Sequence, residues 1–293
     1  MKLINVLQND SSTVGIQTEK GILDLEKAAR KFNYPVPTKI MDLIRDWKNQ
    51  KAAVHKLVES ALNGTDNLYF DETKLTYGPC VPEPEKILCI GLNYRQHAKE
   101  SNTDIPVTPI LFSKFNNALT GHNSTVTIPK VAQKVDYEVE LVIVIGETIQ
   151  NISQEEALTK VFGYCVGNDL SARDLQMKTS QWLLGKTCDG FAPLGKYLVT
   201  ADEIQDPNNL NMETYVNGEL RQSSNTSDMI FNCAYLVSYL SQFMTLKPGD
   251  LIFTGTPQGV ILGYPEDKQV WLKAGDEVIT KIENLGELKI TLA

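Results

Sequence analysis

Val135-Asp136-Tyr137-Glu138-Val139-Glu140-Leu141-Val142-Ile143-Val144-Ile145 begins as an alternation of apolar and acidic residues and ends as an unbroken apolar run. Alternation with period two is the signature of a strand, and a wholly apolar run marks a strand buried on both faces. Side chains two positions apart share a face, so Glu138 and Glu140 lie side by side. Two neighbouring carboxylates repel, and burying them unpaired is costly. A hard divalent cation resolves that conflict, and so does a solvated face. The abrupt passage into Leu141–Ile145 sets the pair at the mouth of a buried strand.

Working outward from this strand, the chain from Lys86 onward is strand-rich. Lys86–Gly91 is a short buried strand, followed directly by helix-forming residues over Asn93–Glu100. Asn217-Gly218, between Met212–Val216 and Glu219–Gln222, predicts a hairpin, because both central turn positions need positive φ. Asp276–Ile282 and Glu287–Leu292 predict a last hairpin around Asn284-Leu285-Gly286. Further helices are few, at Gln154–Val161 and Ala234–Ser241. Upstream, Gly78-Pro79-Cys80-Val81-Pro82-Glu83-Pro84 cannot sit in a helix interior or a central strand. It divides the chain into a small N-terminal domain over 1–77, a proline-rich linker over 78–85 and a larger domain over 86–293. The N-terminal part predicts strands at Lys2–Leu7 and Val14–Thr18 and helices at Asp24–Phe32 and Ile40–Leu62, with no chemistry of its own. The class is α+β, mostly β.

The chain has 293 residues, of which 42% are hydrophobic and 22% charged, the balance of a globular protein with a large core. Its 28 basic and 36 acidic residues leave a net charge of −8. That charge disfavours nucleic acid and anionic membranes as partners, since both need basic patches. The five cysteines are odd in number and none lies in a CxxC pair, which argues for a reducing compartment. The longest clean apolar run is strand length, and residues 1–20 carry no signal-peptide core. The expectation is a cytoplasmic protein.

Further residues join the glutamates as candidates. Asp169 follows the apolar stretch Val161–Val166, where it can meet Glu138 and Glu140 or cap a helix over Leu170–Gln176. Three carboxylates without His or Cys suit Mg²⁺ or Mn²⁺ rather than zinc. His97 and Glu100 are neighbours on one helix face, the arrangement of an oriented general base and also of an ordinary surface ion pair. His55 and His122 lack such a partner and are assigned to the surface. Lys186, in Gly185-Lys186-Thr187-Cys188-Asp189, can contact an anionic substrate or a developing oxyanion. Thr254-Gly255-Thr256-Pro257 is a glycine-bearing turn whose amides and hydroxyls can hold a carboxylate.

Taken together these residues resemble the fumarylacetoacetate hydrolase family from about Lys86 to the C-terminus. The resemblance rests on Gly91-Leu92-Asn93-Tyr94 with His97 and Glu100, Asp136-Tyr137-Glu138-Val139-Glu140-Leu141, Asn168-Asp169-Leu170-Ser171-Ala172-Arg173-Asp174, Gly185-Lys186 with Asp189, and Thr254-Gly255-Thr256-Pro257. Gln181-Trp182-Leu183-Leu184-Gly185-Lys186 is most similar to the short-chain branch related to acylpyruvate hydrolases, oxaloacetate decarboxylases and oxaloacetate tautomerases. The resemblance implies a rolled, mixed sheet wrapped into a β-sandwich-like barrel, assembled as a homodimer. It implies Mg²⁺ held by Glu138, Glu140 and Asp169, with Mn²⁺ as a substitute. It implies an acid–base dyad of His97 and Glu100 on a lid helix, Lys186 beside the metal, and Arg173, Gln176 and Thr256 near the substrate.

The expected substrate is a small 2-oxo acid of acylpyruvate or oxaloacetate type, handled through a metal-chelated enolate. Hydrolysis of a carbon–carbon bond, decarboxylation and isomerisation or tautomerisation (of oxaloacetate or of 2-hydroxy-diene-dioates) all share that intermediate. A non-catalytic ligand-binding scaffold is the alternative of another class, and the presence of His97, Glu100 and Lys186 together argues against it.

Overall fold

The computed structural model describes residues 1–8, 11–64 and 67–293. The acidic stretch opens as a two-residue strand, Val135–Asp136, breaks at Tyr137 and Glu138, and resumes as Val139–Ile145. Every residue of Val139–Ile145 is buried. Alternation decides where each goes. Val139, Leu141, Ile143 and Ile145 enter one core with Val278, Leu288 and Ile290. Val142 and Val144 enter another with Leu43, Leu57 and Phe253. Two apolar environments, one per face, account for a strand with no polar side in this run.

The strand is central to a 10-stranded mixed sheet among the described residues. In order across the sheet run Gly21–Asp24, Ser11–Thr18, Lys2–Gln8, Leu198–Thr200, Val161–Asn168, Val139–Ile145, Leu251–Phe253, Ile87–Gly91 and Ile110–Lys114, with Thr76–Tyr77 paired to Lys2–Gln8. Leu251–Phe253 and Ile87–Gly91 run parallel, and the other pairings in this sheet are antiparallel. A 5-stranded sheet packs on one face, in the order Glu219–Asn225, Asn211–Val216, Glu277–Ile282, Gly286–Leu292 and Ser124–Val126. The mixed, mostly β architecture agrees with expectation, but the barrel does not: the large sheet ends at Gly21–Asp24 and Ile110–Lys114, and these edges do not pair.

Both predicted hairpins form, and the left-handed turn positions explain them. Asn217 has φ 51° and Gly218 φ 82°, while Asn284 has φ 64° and Gly286 φ 87°. The N-terminal helix spans Leu25–Phe32, with the Asp24 side chain accepting from the Lys27 amide as N-cap. The second, Ile40–Asn63, buries Ile40, Leu43, Ile44, Val54, Leu57 and Ala61 at helical spacing. The residues over 78–85 carry no strand or helix, but sheet and core cross them. Lys2–Gln8 pairs with Leu198–Thr200, and Leu3, Val14 and Leu43 share a core with Cys89 and Phe253.

Three expectations on local detail are corrected. The helix after Ile87–Gly91 starts only at Arg95, because Leu92 takes φ 53° and Tyr94 is extended. The Gln154 helix ends at Ala157 and tightens into a 3₁₀ turn over Leu158–Lys160. His122 is buried, not superficial: its Nδ1 accepts from the Lys289 amide at 3.2 Å, and its ring meets Tyr77 edge-on.

Ile143 is fully buried against the second sheet. Ile143→Ala should therefore cost ~2–5 kcal/mol of unfolding free energy, read as a lowered urea midpoint at unchanged slope.

Candidate active site

Strand register brings the acids together. Val139 pairs with Asn168 and Glu140 with Gly167, so Asp169 emerges next to Glu138. Two further bonds tie the junction: the Asp169 amide donates to the Glu138 carbonyl, and the Glu138 amide donates to Asn168 Oδ1, each at 2.9 Å. One carboxylate oxygen each from Glu138, Glu140 and Asp169 then lies within 4.8 Å of the others. The relative exposures are 4%, 2% and 0%, so a solvated face is excluded for all three. Nor does Asp169 cap a helix, since the Ser171–Ala172 strand intervenes before the helix at Arg173–Gln176.

Three buried cations and a fourth carboxylate surround this cluster. Arg173 donates through Nε to Asp136 Oδ2 at 2.9 Å, through Nη2 to Glu138 Oε1 at 2.6 Å and through Nη1 to Gln176 Oε1 at 3.0 Å. Lys186 Nζ bridges Glu138 Oε2 and Asp169 Oδ2, 2.8 Å from each. Lys114 Nζ donates to the carbonyls of Leu170 and Phe191 and lies 2.5 Å from Asp169 Oδ1. That last contact is ionic without hydrogen-bond geometry, and Asp169 Oδ1 has no hydrogen-bond donor. Asp136 also accepts from the amides of Ile261 and Leu262, which fixes the loop beside the site.

The electrostatics separate the two glutamates. Burial alone would raise the Glu138 carboxyl, but Lys186 and Arg173 outweigh it and hold it at about 2. Glu140 is pushed well above the usual carboxylate range by burial, then by the charges of Asp169 and Glu138. Its Oε2 accepts from the Gly255 amide at 2.8 Å, and no described cationic side chain forms an ion pair with it. Lys186 is raised despite burial, because Asp169 and Glu138 favour its charged form.

His97 lies on the helix Arg95–Glu100, with Nδ1 3.4 Å from Glu100 Oε2. The helix is docked at both ends. Arg95 donates to the carbonyls of Asp228 and Met229, and the Gln96 amide to Asp228 Oδ2. At the other end the Gly259 amide donates to both Glu100 oxygens, at 3.0 and 3.1 Å. A Cβ on Gly263 would come 2.5 Å from Glu100 Oε2, so a side chain there would displace that carboxylate. His97 is 7% exposed, so the pair is not an ordinary surface ion pair.

One cavity of about 440 Å³ gathers these groups, lined by His97, Glu138, Glu140, Arg173, Gln176 and Lys186, with Thr256 also on its wall. Glu138 and Glu140 therefore border the same space as His97, while Asp169 lies behind that wall and meets it through Lys186. Gly185 permits the approach of the Lys186 helix, because a Cβ there would stand 2.4 Å from the Ala172 carbonyl. Sequence reasoning missed several participants. Lys114 closes an alternating strand without a distinguishing signal. Gln222, in the second sheet, accepts from the Val139 amide and donates to Thr256 Oγ1 at 3.0 Å, joining two sequence-distant segments. Asp136 was visible as the first acid of the strand, and its bond to Arg173 is the function that the pattern concealed.

Arg173→Gln should cost ~3–5 kcal/mol at pH 7, because Asp136 and Glu138 lose their buried guanidinium. The Glu138 carboxyl, held at about 2 in the parent, favours folding above its unfolded value near 4.5, and that stabilisation is lost as pH falls toward 2. In the variant that depression is weakened, so the stability gap to the parent should stay constant above about pH 5 and narrow between about pH 5 and pH 2. Urea melts across that range check it.

Comparison with known proteins sets the site in context. The family model for the fumarylacetoacetate hydrolase C-terminal domain matches residues 86–293. A mitochondrial oxaloacetate tautomerase of Xenopus laevis is 40% identical over 294 residues, covering 98% of this chain and 89% of that protein. Maleylpyruvate hydrolase from Sphingobium, solved with manganese(II) and pyruvate, superposes with a TM-score of 0.80 at 29% identity, covering 100% of this chain and 99% of that one. The 2-hydroxyhepta-2,4-diene-1,7-dioate isomerase of Mycobacterium marinum gives a TM-score of 0.74 at 28% identity, with 100% and 98% covered. The matched domain takes in more than half of the chain and holds every carboxylate of the cluster: this protein belongs to the fumarylacetoacetate hydrolase family of enzymes.

Proposed function

We propose that the protein interconverts the keto and enol forms of a small 2-oxo acid, oxaloacetate first among them, with Mg²⁺ or Mn²⁺ as cofactor. One observation carries the proposal: His97, braced by Glu100, opens on the same cavity as the Glu138 and Glu140 carboxylates. The 40% identical relative named for that reaction supports the choice of substrate.

The donor set fits a hard divalent ion. Three carboxylates converge within 4.8 Å, Glu140 has no cationic partner among the described residues, and Asp169 Oδ1 is buried without a hydrogen-bond donor. Glu138, Glu140 and Asp169 would hold the ion, which supplies Lewis-acid polarisation of the keto group. Nε2 of His97 takes the proton from the carbon beside the keto group as the C–H electron pair becomes the C=C bond, and the keto oxygen takes a proton from solvent, to which His97 then yields its own. The reverse returns it. Glu100 holds the proton on Nδ1 and orients the ring. Lys186 offers a positive charge toward the developing enol oxygen. Gln176 and Thr256 contribute polar wall, while Arg173 is committed to Asp136, Glu138 and Gln176 and acts by positioning Glu138.

A second reading, hydrolysis of an acylpyruvate, is favoured by the structural likeness to a maleylpyruvate hydrolase. It places a water beside His97 in the role of nucleophile. The reading also includes a homodimer, supported by an aromatic row on the helix Cys233–Phe243 in which Tyr235 stacks on Tyr239 and Tyr239 meets a 64% exposed Phe243 edge-on. Light scattering should then give twice the chain mass of 32.7 kDa.

Loss of oxaloacetate enol absorbance, with and without Mg²⁺, tests the central claim. His97→Asn should lower kcat by ~10²–10⁴ while metal affinity is retained. Metal-independent rates, or no turnover of oxaloacetate or acetylpyruvate, would remove the proposal. Because Glu140 is raised, metal binding should displace its proton, and affinity should fall as pH falls through the range where Glu140 protonates. Glu138, at about 2, adds no pH dependence above pH 4. Calorimetry in buffers of different ionisation enthalpy reads the released proton directly.

A further inference from the structure

Past the carboxylates, the cavity wall is mostly apolar, with Ile90, Leu92, Phe112, Met177, Trp182 and Leu262 beside the hydroxyls of Ser101 and Thr103. Trp182 is seated on bare backbone, since a Cβ on Gly91 would come 2.6 Å from its ring. Phe112 meets that indole edge-on, with ring centroids 5.3 Å apart at 67°, and lies beneath Lys186 Nζ at 5.0 Å. Leu92 is held at φ 53°, a conformation that leucine rarely adopts, on the same wall. The backbone is thus bent to present hydrocarbon to the cavity while Asn93, next in sequence, locks the bend through Phe231 and Thr254.

The cations tell the same story. Among the described residues, His97, Arg173 and Lys186 are the basic side chains that line the cavity. Arg173 is spent on Asp136 and Glu138, and Lys186 on Glu138 and Asp169. A second carboxylate that reaches past the ions would meet aromatic rings and neutral hydroxyls but no uncommitted guanidinium or ammonium, which offsets only part of its lost hydration. An aryl or alkyl group would find edge-to-face partners and lose only water.

We propose that this enzyme also tautomerises 2-oxo acids bearing an uncharged aryl or branched alkyl substituent at C3, and that Trp182 and Phe112 are the specificity-determining wall. The proposal rests on the keto–enol reading of the site and extends its substrate class. The step is the same: the C3–H bond breaks, its proton passes to His97 Nε2, the electron pair forms the C2=C3 bond and the keto oxygen is protonated, with no net redox change.

Phenylpyruvate is the probe, compared with oxaloacetate on the full chain with Mg²⁺ by following enol absorbance. The expected result is a metal-dependent kcat/KM for phenylpyruvate within about tenfold of that for oxaloacetate. Turnover of oxaloacetate without acceleration of phenylpyruvate overturns the inference and leaves the keto–enol reading standing. Turnover of neither overturns both. Trp182→Ala should raise KM for phenylpyruvate roughly tenfold with kcat little changed, because the wall binds the substituent and moves no proton. Met177, 59% exposed at the rim, tolerates substitution without disturbing the core. Met177→Arg should lower the ratio of phenylpyruvate to oxaloacetate kcat/KM about tenfold by supplying the missing cation. A ratio unmoved by both variants rejects the wall as the determinant.

Discussion

Burying like charges together is the constraint from which the rest of this structure follows. Asp136, Glu138, Glu140 and Asp169 are each less than 5% exposed and are gathered at one strand junction. Water would stabilise each far better than protein does, so the fold has to supply substitutes. It does so with Lys114, Lys186 and Arg173, and with amides from Tyr137, Gly255, Ile261 and Leu262. Glu140 receives an amide but no cation, and burial pushes its carboxyl upward. A structure that wanted only stability would use hydrocarbon here. Glu140 is thereby the one carboxylate of the four that no described cationic side chain pairs.

The two sheets divide the labour. The large sheet fixes the register that sets Asp169 beside Glu138, and its apolar run anchors the acids against a core on each face. The smaller sheet reaches in through Gln222, which clamps the Val139 amide and the Thr256 hydroxyl. Loops after Phe253 then bring Gly255 to Glu140 and Gly259 to Glu100. The acid cluster and the histidine are thereby referred to one loop, although they arise some forty residues apart in sequence. The lid expected on the His97 helix is already docked at both ends in this structure.

How much of this was legible in the sequence varied with how local the physics was. The acidic strand, both asparagine–glycine-type hairpins and the long helix from Ile40 are written in period and turn chemistry, and they formed where expected. Glu138, Glu140 and Asp169 could be picked out because unlike neighbours, an acid beside an apolar run, betray themselves. Lys114 and Gln222 could not, because nothing in their own segments distinguishes them; only tertiary pairing shows what they serve. The proline-rich break is a local signal of a linker, whereas the pairing of Lys2–Gln8 with Leu198–Thr200 depends on contacts that no local pattern encodes. The same holds for the open sheet edges, which decide against a barrel. His122 misled for the converse reason: a histidine without a sequence partner found one in the Lys289 backbone.

The bridging of Lys186 between Glu138 and Asp169 has a consequence for how such a site can change over generations. Because Lys186, Glu138 and Asp169 each lean on two oppositely charged neighbours, the effect of replacing one depends on what those neighbours already are. A lineage that loses the ammonium leaves two anions stranded, so tolerated drift at these positions has to proceed by coordinated exchanges rather than single steps. The apolar wall around Trp182 carries no such debt. Divergence within this architecture is therefore freest at the apolar rim and slowest among the interlocked ions.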